Sequence, residues 1–254
     1  DLCLGCHESV KQTLATASYK HTVATDARAC LTCHTPHGGD VPKLMVDRQA
    51  NVCMTCHDQR VTLPDGRTIA AVPETLDERL VRHGPVRDGE CGGCHAVHGA
   101  KNVDLLDKAY ARSFYQPFSP EKYELCFSCH DVRLVQEGQA VTAFRNGDQN
   151  LHYVHVSQGR MDRSCGVCHA SHAGKNEKIL RERVQYKKWL MPINFAKTPS
   201  GGSCDPGCHE KYAYDRDRPL PPPKGSRSRQ ARPADVVRAA EQAPGILRLV
   251  GKDA

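Results

Sequence analysis

The chain has 254 residues, enough for one or two ordinary domains, but its composition is unlike that of such domains. Aromatic residues make up 6% of the chain and only one Trp is present, so a protein-only hydrophobic core of this size would be difficult to build. No run of 18 apolar residues occurs, and the sequence therefore predicts no membrane-spanning helix.

Local patterns predict short elements joined by long irregular loops. A small hairpin is predicted around Pro64-Asp65-Gly66, and the similar stretch that follows His130 has Gly138 at the equivalent turn. Apolar periodicity and capping residues predict further short helices. The predicted helices are 8–19, 74–82, 119–130, 176–190 and 234–242.

The cysteines carry the strongest signal in the sequence. All 14 Cys fall in seven pairs, and a His follows each pair directly. Two thiols at this spacing can form thioethers with the vinyl groups of one porphyrin, and the adjoining imidazole can bind the iron. The motifs are Cys3, Cys6 and His7; Cys30, Cys33 and His34; Cys53, Cys56 and His57; Cys91, Cys94 and His95; Cys126, Cys129 and His130; Cys165, Cys168 and His169; and Cys204, Cys208 and His209.

Three other uses of paired cysteines are weaker explanations than covalent haem. Disulfide frameworks, zinc sites and redox dithiols do not require a His after the second Cys, and all seven motifs have one. The seventh motif has three residues between its thiols, Asp205-Pro206-Gly207, and a Pro-Gly turn can absorb the extra residue. The motifs therefore predict seven c-type haems as cofactors.

This haem content predicts the fold class. Residues 1–215 would hold about one haem per 31 residues, so the macrocycles themselves would form the core. We expect a multihaem cytochrome made mostly of irregular coil, with short α-helices and minimal β hairpins wrapped around a stacked haem chain. Residues 1–215 would form one heptahaem domain of three haem pairs plus one terminal haem, and 216–254 a basic Pro-rich C-terminal arm with a short helix.

The positive charge lies mainly in that arm. Residues 216–254 have a net charge of +5, whereas residues 1–215 have a net charge of +1. Fourteen ionised propionates and seven ferric porphyrin cores would bring the body to −6, and reduction would bring it to −13. Nucleic-acid binding is therefore the wrong inference from the basic balance of the sequence.

The number of histidines matches the number of axial positions that remain. Seven of the 14 His belong to the motifs, and seven irons each need one more ligand. Bis-His ligation throughout is the simplest interpretation, and it implies lower potentials than His/Met ligation. The candidate distal ligands are His21, His37, His83, His98, His152, His155 and His172. Only one of His152 and His155 matches the repeat, so the assignment of these two is open.

Three motifs have a second His three residues after the first: His37, His98 and His172. Residues at this spacing share one face of a helical turn and cannot easily reach opposite faces of one ring. We therefore expect these three imidazoles to bind a neighbouring haem and to hold two irons close together.

The ordered repeat of upstream His, CxxCH, x-x-His-Gly, a Leu-rich tail and a second Leu-Cys-x-x-Cys-His resembles the doubled-CxxCH multihaem cytochromes c. The resemblance covers residues 1–209. It implies an exported, periplasmic or extracellular electron carrier with closely stacked haems. Some members of this group are soluble shuttles, others belong to porin–cytochrome conduits, and others polymerise into filaments in which a neighbouring subunit can supply a distal His.

The resemblance leaves partners and chemistry open. Partners would be redox proteins, other copies of the chain or an outer-membrane conduit. The chain begins two residues before its first motif without a signal peptide, so we expect a processed or trimmed chain. The competing function is a multihaem oxidoreductase of the nitrite, hydroxylamine or tetrathionate type. Such an enzyme needs one open iron, and the His count favours a non-catalytic protein.

Overall fold

The secondary structure consists of short elements throughout. The computed structural model describes residues 2–26, 28–63, 65–138, 141–159 and 161–221. Within these ranges the α-helices have four to nine residues and the strands two to four. The helices are α1 (Glu8–Thr16), α2 (Gln49–His57), α3 (Gly84–Arg87), α4 (Glu124–Phe127), α5 (Leu151–Val156) and α6 (Cys165–Cys168). The strands are β1 (Tyr19–Lys20), β2 (Val61–Thr62), β3 (Thr68–Ile69), β4 (Val81–Arg82), β5 (Gly99–Ala100), β6 (Arg145–Asn146), β7 (Gln149–Asn150), β8 (Ala173–Gly174), β9 (Arg183–Tyr186), β10 (Trp189–Pro192), β11 (Ala196–Lys197), β12 (Gly201–Cys204) and β13 (Tyr212–Asp215).

Two antiparallel ladders connect successive sequence repeats. Strand β1 pairs with β5, and strand β4 pairs with β8, so each strand before an upstream His lies against the segment that follows the His-x-x-His of the next repeat, the second one along the chain. The ladders continue into the histidines: the His21 amide donates to the His98 carbonyl at 3.4 Å, and the His83 amide donates to the His172 carbonyl at 2.8 Å. The repeats are therefore hydrogen-bonded end to end.

Each His-x-x-His segment is also fixed to the tail that follows it. His34, His95 and His169 form isolated bridges with residues eleven positions later, Met45, Leu106 and Leu180. The tail turns back through a residue with positive φ, which is Lys43 (φ 61°), Asp104 (φ 58°) or Lys178 (φ 56°). The left-handed conformation is uncommon for such residues. Its recurrence at one position in three repeats therefore marks a shared structural requirement.

The last motif is held by a three-stranded sheet. Its order is β11-β12-β13, and Cys204 is the last residue of the central strand, paired with Tyr212. Gly201 opens that strand, and a Cβ atom there would overlap the carbonyl oxygen of Tyr214. The backbone approach at this point requires Gly.

The hydrophobic core is small. Its main cluster joins Ala111, Tyr123, Val135 and Val156, which are all buried. Tyr123 is 1% exposed and donates to the Gln116 carbonyl at 3.3 Å. This agrees with a composition that cannot build a large protein-only core. None of the helices in the described part of the chain is long and apolar enough to cross a bilayer.

Several predicted elements are confirmed and others are wrong. Helix α1 begins at the predicted residue and ends at Thr16, and strands β2 and β3 form the predicted hairpin around Gly66. The predicted helix 119–130 is a 3-10 turn, Pro120–Tyr123, followed by α4. At Gly138 the chain makes only a turn.

Two helix predictions are wrong. Segment 74–82 holds the end of a 3-10 turn and strand β4, because its last residues pair with β8 from a distant part of the chain. Segment 176–190 forms another 3-10 turn and then the β9–β10 hairpin, with Lys187 at φ 52° in the turn. The predicted helix 234–242 and most of the arm lie outside the described residues.

Candidate haem sites

Ten of the fourteen imidazoles lie in five stacked pairs. Each pair joins a His of a Cys-x-x-Cys-His motif to a His from elsewhere in the chain, with the rings within 29° of parallel. The separations between ring centroids are 6.2 Å for His57 and His21, 6.2 Å for His34 and His98, 6.0 Å for His130 and His83, 6.4 Å for His95 and His172, and 6.3 Å for His169 and His152.

These separations fit an iron between the two rings. A metal–imidazole bond of about 2.0 Å, plus about 1.1 Å from the nitrogen to the ring centre, places two axial rings about 6.2 Å apart. Aromatic pairs in general have centroids about 4.5–7 Å apart, so the separation gains its meaning from the partners. Every pair includes the His of a Cys-x-x-Cys-His motif, and its separation matches that of two imidazoles bound to one iron.

The motif imidazoles are oriented by a repeated hydrogen bond. Nδ1 of His34 lies 3.0 Å from the Lys43 carbonyl oxygen, and the equivalent distances are 2.8 Å from His95 to Asp104 and 2.8 Å from His169 to Lys178. Since a carbonyl only accepts, Nδ1 carries the proton and Nε2 keeps its lone pair for a metal. The acceptors are the residues with positive φ, which explains why that conformation recurs.

The distal imidazoles are oriented in other ways. His21 is hydrogen-bonded to the backbone of Val97 and His83 to the backbone of Ser171, the residues directly before His98 and His172. Each of these bonds fixes a ring at the junction between two repeats. The orientation of each of these rings is therefore set by the repeat whose strand pairs with the strand before the His.

Helix α5 presents two imidazoles of its own. His152 is hydrogen-bonded to the Thr142 hydroxyl at 3.0 Å, and His155 Nδ1 donates to the Leu151 carbonyl at 2.7 Å. Asn150 is 2% exposed and caps the helix, since its side-chain oxygen accepts from the backbone amides of His152 and Tyr153. Its amide group also donates to two backbone carbonyls, so this cap is fully bonded.

Burial favours the neutral form of several paired imidazoles. It is the largest cause of the lowered pKa of His21, His57, His83 and His98, and it lowers the pKa of His152 to about 4. A neutral imidazole is the form that binds a metal. Burial therefore favours the metal-binding form of these imidazoles.

Four of the five ring pairs follow one rule along the chain, and the exception is His152, which lies against the first motif after it. An upstream His lies against the next motif but one, as His21 does with His57, or His83 with His130. The second His of a His-x-x-His lies against the motif two places earlier, as His98 does with His34. His98 and His172 thus lie against motifs other than their own, whereas His37 takes part in no ring pair within the described chain.

The four remaining imidazoles are arranged differently. Burial lowers the pKa of His155 to about 4, with smaller contributions from nearby Arg163 and His209, so His155 is close to the His of the seventh motif. The rule above assigns the same two residues to each other. His7 and His37 are both exposed, and neither takes part in a ring pair within the described chain.

Thiols of successive motifs lie close enough to interact. Cys53 is hydrogen-bonded to Cys91, and Cys126 is hydrogen-bonded to Cys165. Electrostatic contact joins the other neighbours from the second motif to the seventh: Cys33 with Cys56, Cys94 with Cys129, and Cys168 with Cys204. Motifs two to seven thus form one row in chain order.

The thiols of the first motif, Cys3 and Cys6, are both exposed. The backbone of this motif nevertheless has the turn of the other motifs: the Cys6 amide donates to the Cys3 carbonyl at 3.2 Å, as the Cys33 amide does to Cys30. The attachment of a haem through Cys6 stays a prediction from the spacing and this shared turn.

The last motif has a different local structure. Cys204 ends strand β12, whereas Cys208 follows it in an exposed turn. The Cys208 thiol donates to the Met191 sulfur at 3.4 Å and interacts electrostatically with Cys168. The structure therefore brings Cys208 to the end of the row, although its stretched spacing does not give the turn seen at Cys6. Its role in haem attachment also stays a prediction.

One carboxylate lies beside a distal imidazole. Glu74 Oε1 is 3.8 Å from Nδ1 of His172, and both side chains are about one-third exposed. Although burial lowers the pKa of His172, Glu74 acts in the opposite direction. A carboxylate here makes the imidazole a more basic ligand.

The role of the tails was missed in the sequence. The Leu-rich tails after the His-x-x-His segments are visible as a repeat, and the acceptors Lys43, Asp104 and Lys178 each lie nine residues after the motif His. That constant spacing is the signal that could have identified them as partners of the ligands.

Comparison with known proteins agrees with this arrangement. A family model described as the doubled CXXCH motif matches residues 21–62 and 83–133, each of which begins at an upstream His. The chain is also similar to the multihaem cytochrome MtrA of Shewanella baltica (strain OS185), with 24% identity over 131 residues. The aligned part is 51% of this chain and 31% of that relative, so the chain spans about a third of the length of the curated protein it matches. The motifs and both similarities support a multihaem c-type cytochrome of the doubled CXXCH kind.

Proposed function

We propose that the chain transfers electrons along a row of seven covalently bound c-type haems, each with two axial His. The observation that carries the proposal is the set of five ring pairs at 6.0–6.4 Å, each of which includes the His of a CXXCH motif. When bound, the iron supplies one-electron chemistry, whose potential the protein tunes through the axial ligands and their surroundings.

The side chains in this proposal have three tasks. The fourteen Cys attach the porphyrins, and the seven motif imidazoles bind one face of each iron. The distal set, which includes His21, His83, His98, His152, His155 and His172, closes the opposite face. Carbonyl acceptors such as that of Asp104 hold Nδ1–H and fix the direction of Nε2.

The order of the row follows from contacts between neighbouring pairs. His21 interacts electrostatically with His98, His57 with His95, and His172 with His83. His169 interacts with His130, and His152 with His155. These contacts link the candidate iron sites in chain order from the second motif to the seventh, which is the arrangement that stepwise electron transfer requires.

The place and partners of this activity are part of the proposal. Covalent haem attachment supports a periplasmic or extracellular protein, with redox proteins, an outer-membrane conduit or other copies of the chain as partners. A negative haem body would favour partners with a positive docking surface. A filament differs from a carrier in assembly and not in chemistry, so light scattering of native material distinguishes the two.

Haem counting and spin state test the proposal together. We expect the purified protein to give seven haems by pyridine haemochrome assay and by mass, and electron paramagnetic resonance to show predominantly low-spin ferric haem. Fewer than seven haems, or several high-spin signals, would contradict it. As a matched control, the double variant with Cys204→Ser and Cys208→Ser should lose one haem and keep six.

The geometry around His7 favours a second candidate function. Since His7 has no ring partner within the described residues, its iron could be open, as in a multihaem oxidoreductase of the nitrite, hydroxylamine or tetrathionate type. Turnover of these three substrates with reduced viologen dye would support an enzyme. Binding of carbon monoxide at one haem without turnover would leave electron transfer as the function.

A further inference from the structure

In the described chain, the segment after His37 has no paired strand, although the equivalent segments after His98 and His172 each have one. Strand β5, directly after His98, pairs with β1, and strand β8, directly after His172, pairs with β4. The corresponding segment after His37 is Gly38–Gly39, which belongs to none of the ladders in the described chain. This segment is therefore an edge without a paired strand in the described chain, and its Gly38 carbonyl accepts from the Thr35 hydroxyl of the same repeat at 3.2 Å.

Burial at equivalent positions supports this comparison. Gly99, Ala100 and Ala173 are buried, whereas Gly38 and Gly39 are exposed. A Cβ atom at Gly99 would lie 2.8 Å from Ala17, but a Cβ atom at Gly38 would have nothing within 4 Å. The edge after His37 is uncovered where its equivalents are in close contact with another repeat.

The tail beyond this edge is uncovered as well. Leu44 is 42% exposed, whereas Leu105 and Ile179, at the same place in the other repeats, are half-buried. In those repeats the tails contact the strands that precede an upstream His, β1 and β4. The element missing from the first repeat is thus an extended strand of this kind.

The unpaired histidines lie at the same end. By the pairing rule, a His that follows such a strand would stack over the motif preceding the edge, which is His7. Likewise, His37 would stack over a motif two places before its own. Both assignments point outside residues 1–254, and they account for the absence of a ring partner for His7 and His37 in the described chain.

We propose that Gly38–Gly39, His37 and His7 form a docking edge for a further CXXCH half-unit, one that presents an extended strand ending in His and carries its own haem. The strand pairs with Gly38–Gly39, its His closes the iron above His7, and His37 closes the iron of the half-unit. The internal repeats show this same exchange twice, at the β1–β5 and β4–β8 junctions. A second copy of the chain is a poorer occupant, because His152 and His155 lie close to the last two motif histidines and leave no strand-plus-His free at its other end.

The proposal rests on the haem ligation described above, and a peptide probe tests it separately. The probe has the sequence of residues 16–23, Thr-Ala-Ser-Tyr-Lys-His-Thr-Val, which are the strand and upstream His of the first junction. The control peptide has Ala in place of this His. We expect the monomeric heptahaem protein to contain one high-spin ferric haem, which the probe converts to low spin at concentrations at least tenfold below those needed with free imidazole. The control peptide should leave it high-spin.

The variant His37→Ala completes the test. Because His37 binds no iron of its own chain, this variant should have the same high-spin fraction as the parent. A monomer with seven low-spin haems that becomes high-spin on His37→Ala would overturn the proposal in favour of ligation within the chain. A low-spin dimer that becomes high-spin on dilution would make a second copy the occupant. If the probe binds no more tightly than free imidazole, the segment Gly38–Gly39 is not a docking edge. Fewer than seven haems would refute the proposed function instead.

Discussion

Removal of the carboxylate beside His172 should raise the potential of one haem. Glu74→Gln keeps the shape of the side chain and deletes the negative charge 3.8 Å from Nδ1 of His172. An anion near an axial imidazole disfavours the added electron and strengthens the ligand as a base. Both effects lower the potential in the parent protein, so the substitution should raise it.

The size of the shift follows from Coulomb's law. An iron bound at Nε2 would lie about 4 Å beyond Nδ1, so the charge acts over about 8 Å, and at an effective dielectric constant of about 40 this corresponds to about 1 kcal/mol. The high dielectric constant allows for the partial exposure of Glu74 and His172. For a one-electron couple, 1 kcal/mol corresponds to about 40 mV.

Spectroelectrochemical titration is the appropriate assay. One of seven components should move upward by about 40 mV, and the shift should shrink in high salt. Glu78→Gln is the matched control, because it removes the same charge from an exposed residue of the same segment. An unchanged or lower potential in Glu74→Gln, or an equal shift in Glu78→Gln, would refute the assignment of His172 as an axial ligand influenced by Glu74.

Three further substitutions test other parts of the arrangement. His172→Ala should add about one equivalent of carbon monoxide binding to the reduced protein. The added binding should disappear when Cys91 and Cys94 are also replaced by Ser. It should remain when Cys165 and Cys168 are replaced by Ser instead. Asn150→Ala should lower the free energy of unfolding in denaturant titrations by about 2–4 kcal/mol, since it leaves buried backbone groups unbonded; Asn150→Asp, which keeps the cap acceptor, should lose less. Gly201→Ala should destabilise the sheet at Cys204 by more than about 2 kcal/mol and lower Tm in calorimetry, because its Cβ would meet the Tyr214 carbonyl, whereas Gly5→Ala should be nearly neutral; equal Tm values for the two variants would contradict this.

The haem-attachment motifs could be predicted from the sequence, because their spacing is local. The ring pairs could be predicted less well, because their two histidines are distant in the chain. The motif spacing predicts where porphyrins attach, and the His-x-x-His spacing predicts that His98 and His172 serve other motifs, as their ring pairs indicate. The partner of His172 lies 77 residues away at His95, and no local pattern contains that distance. Only the pairing of β1 with β5 and of β4 with β8 shows that the repeats exchange histidines.

The incorrect helices have a physical explanation. In 183–190, Val184, Tyr186 and Trp189 are β-branched or aromatic residues, which favour strands over the predicted helix. The short turn at Lys187 lets 183–186 fold back on 189–192. In 74–82, the pairing of Val81–Arg82 with Ala173–Gly174 decides the structure, and local propensity cannot anticipate a tertiary contact.

The interlaced ring pairs have a consequence for the denatured state. With iron between the rings, each pair is a cross-link, and the links from 21 to 57, 34 to 98, 83 to 130 and 95 to 172 enclose overlapping loops. In chain-entropy terms a cross-link of this length removes about 3–5 kcal/mol of freedom from the unfolded chain. Because the loops overlap, cutting one link leaves part of its loop inside at least one other. A chain with few buried side chains can therefore remain folded through its connectivity, and stepwise loss of metal should weaken it gradually.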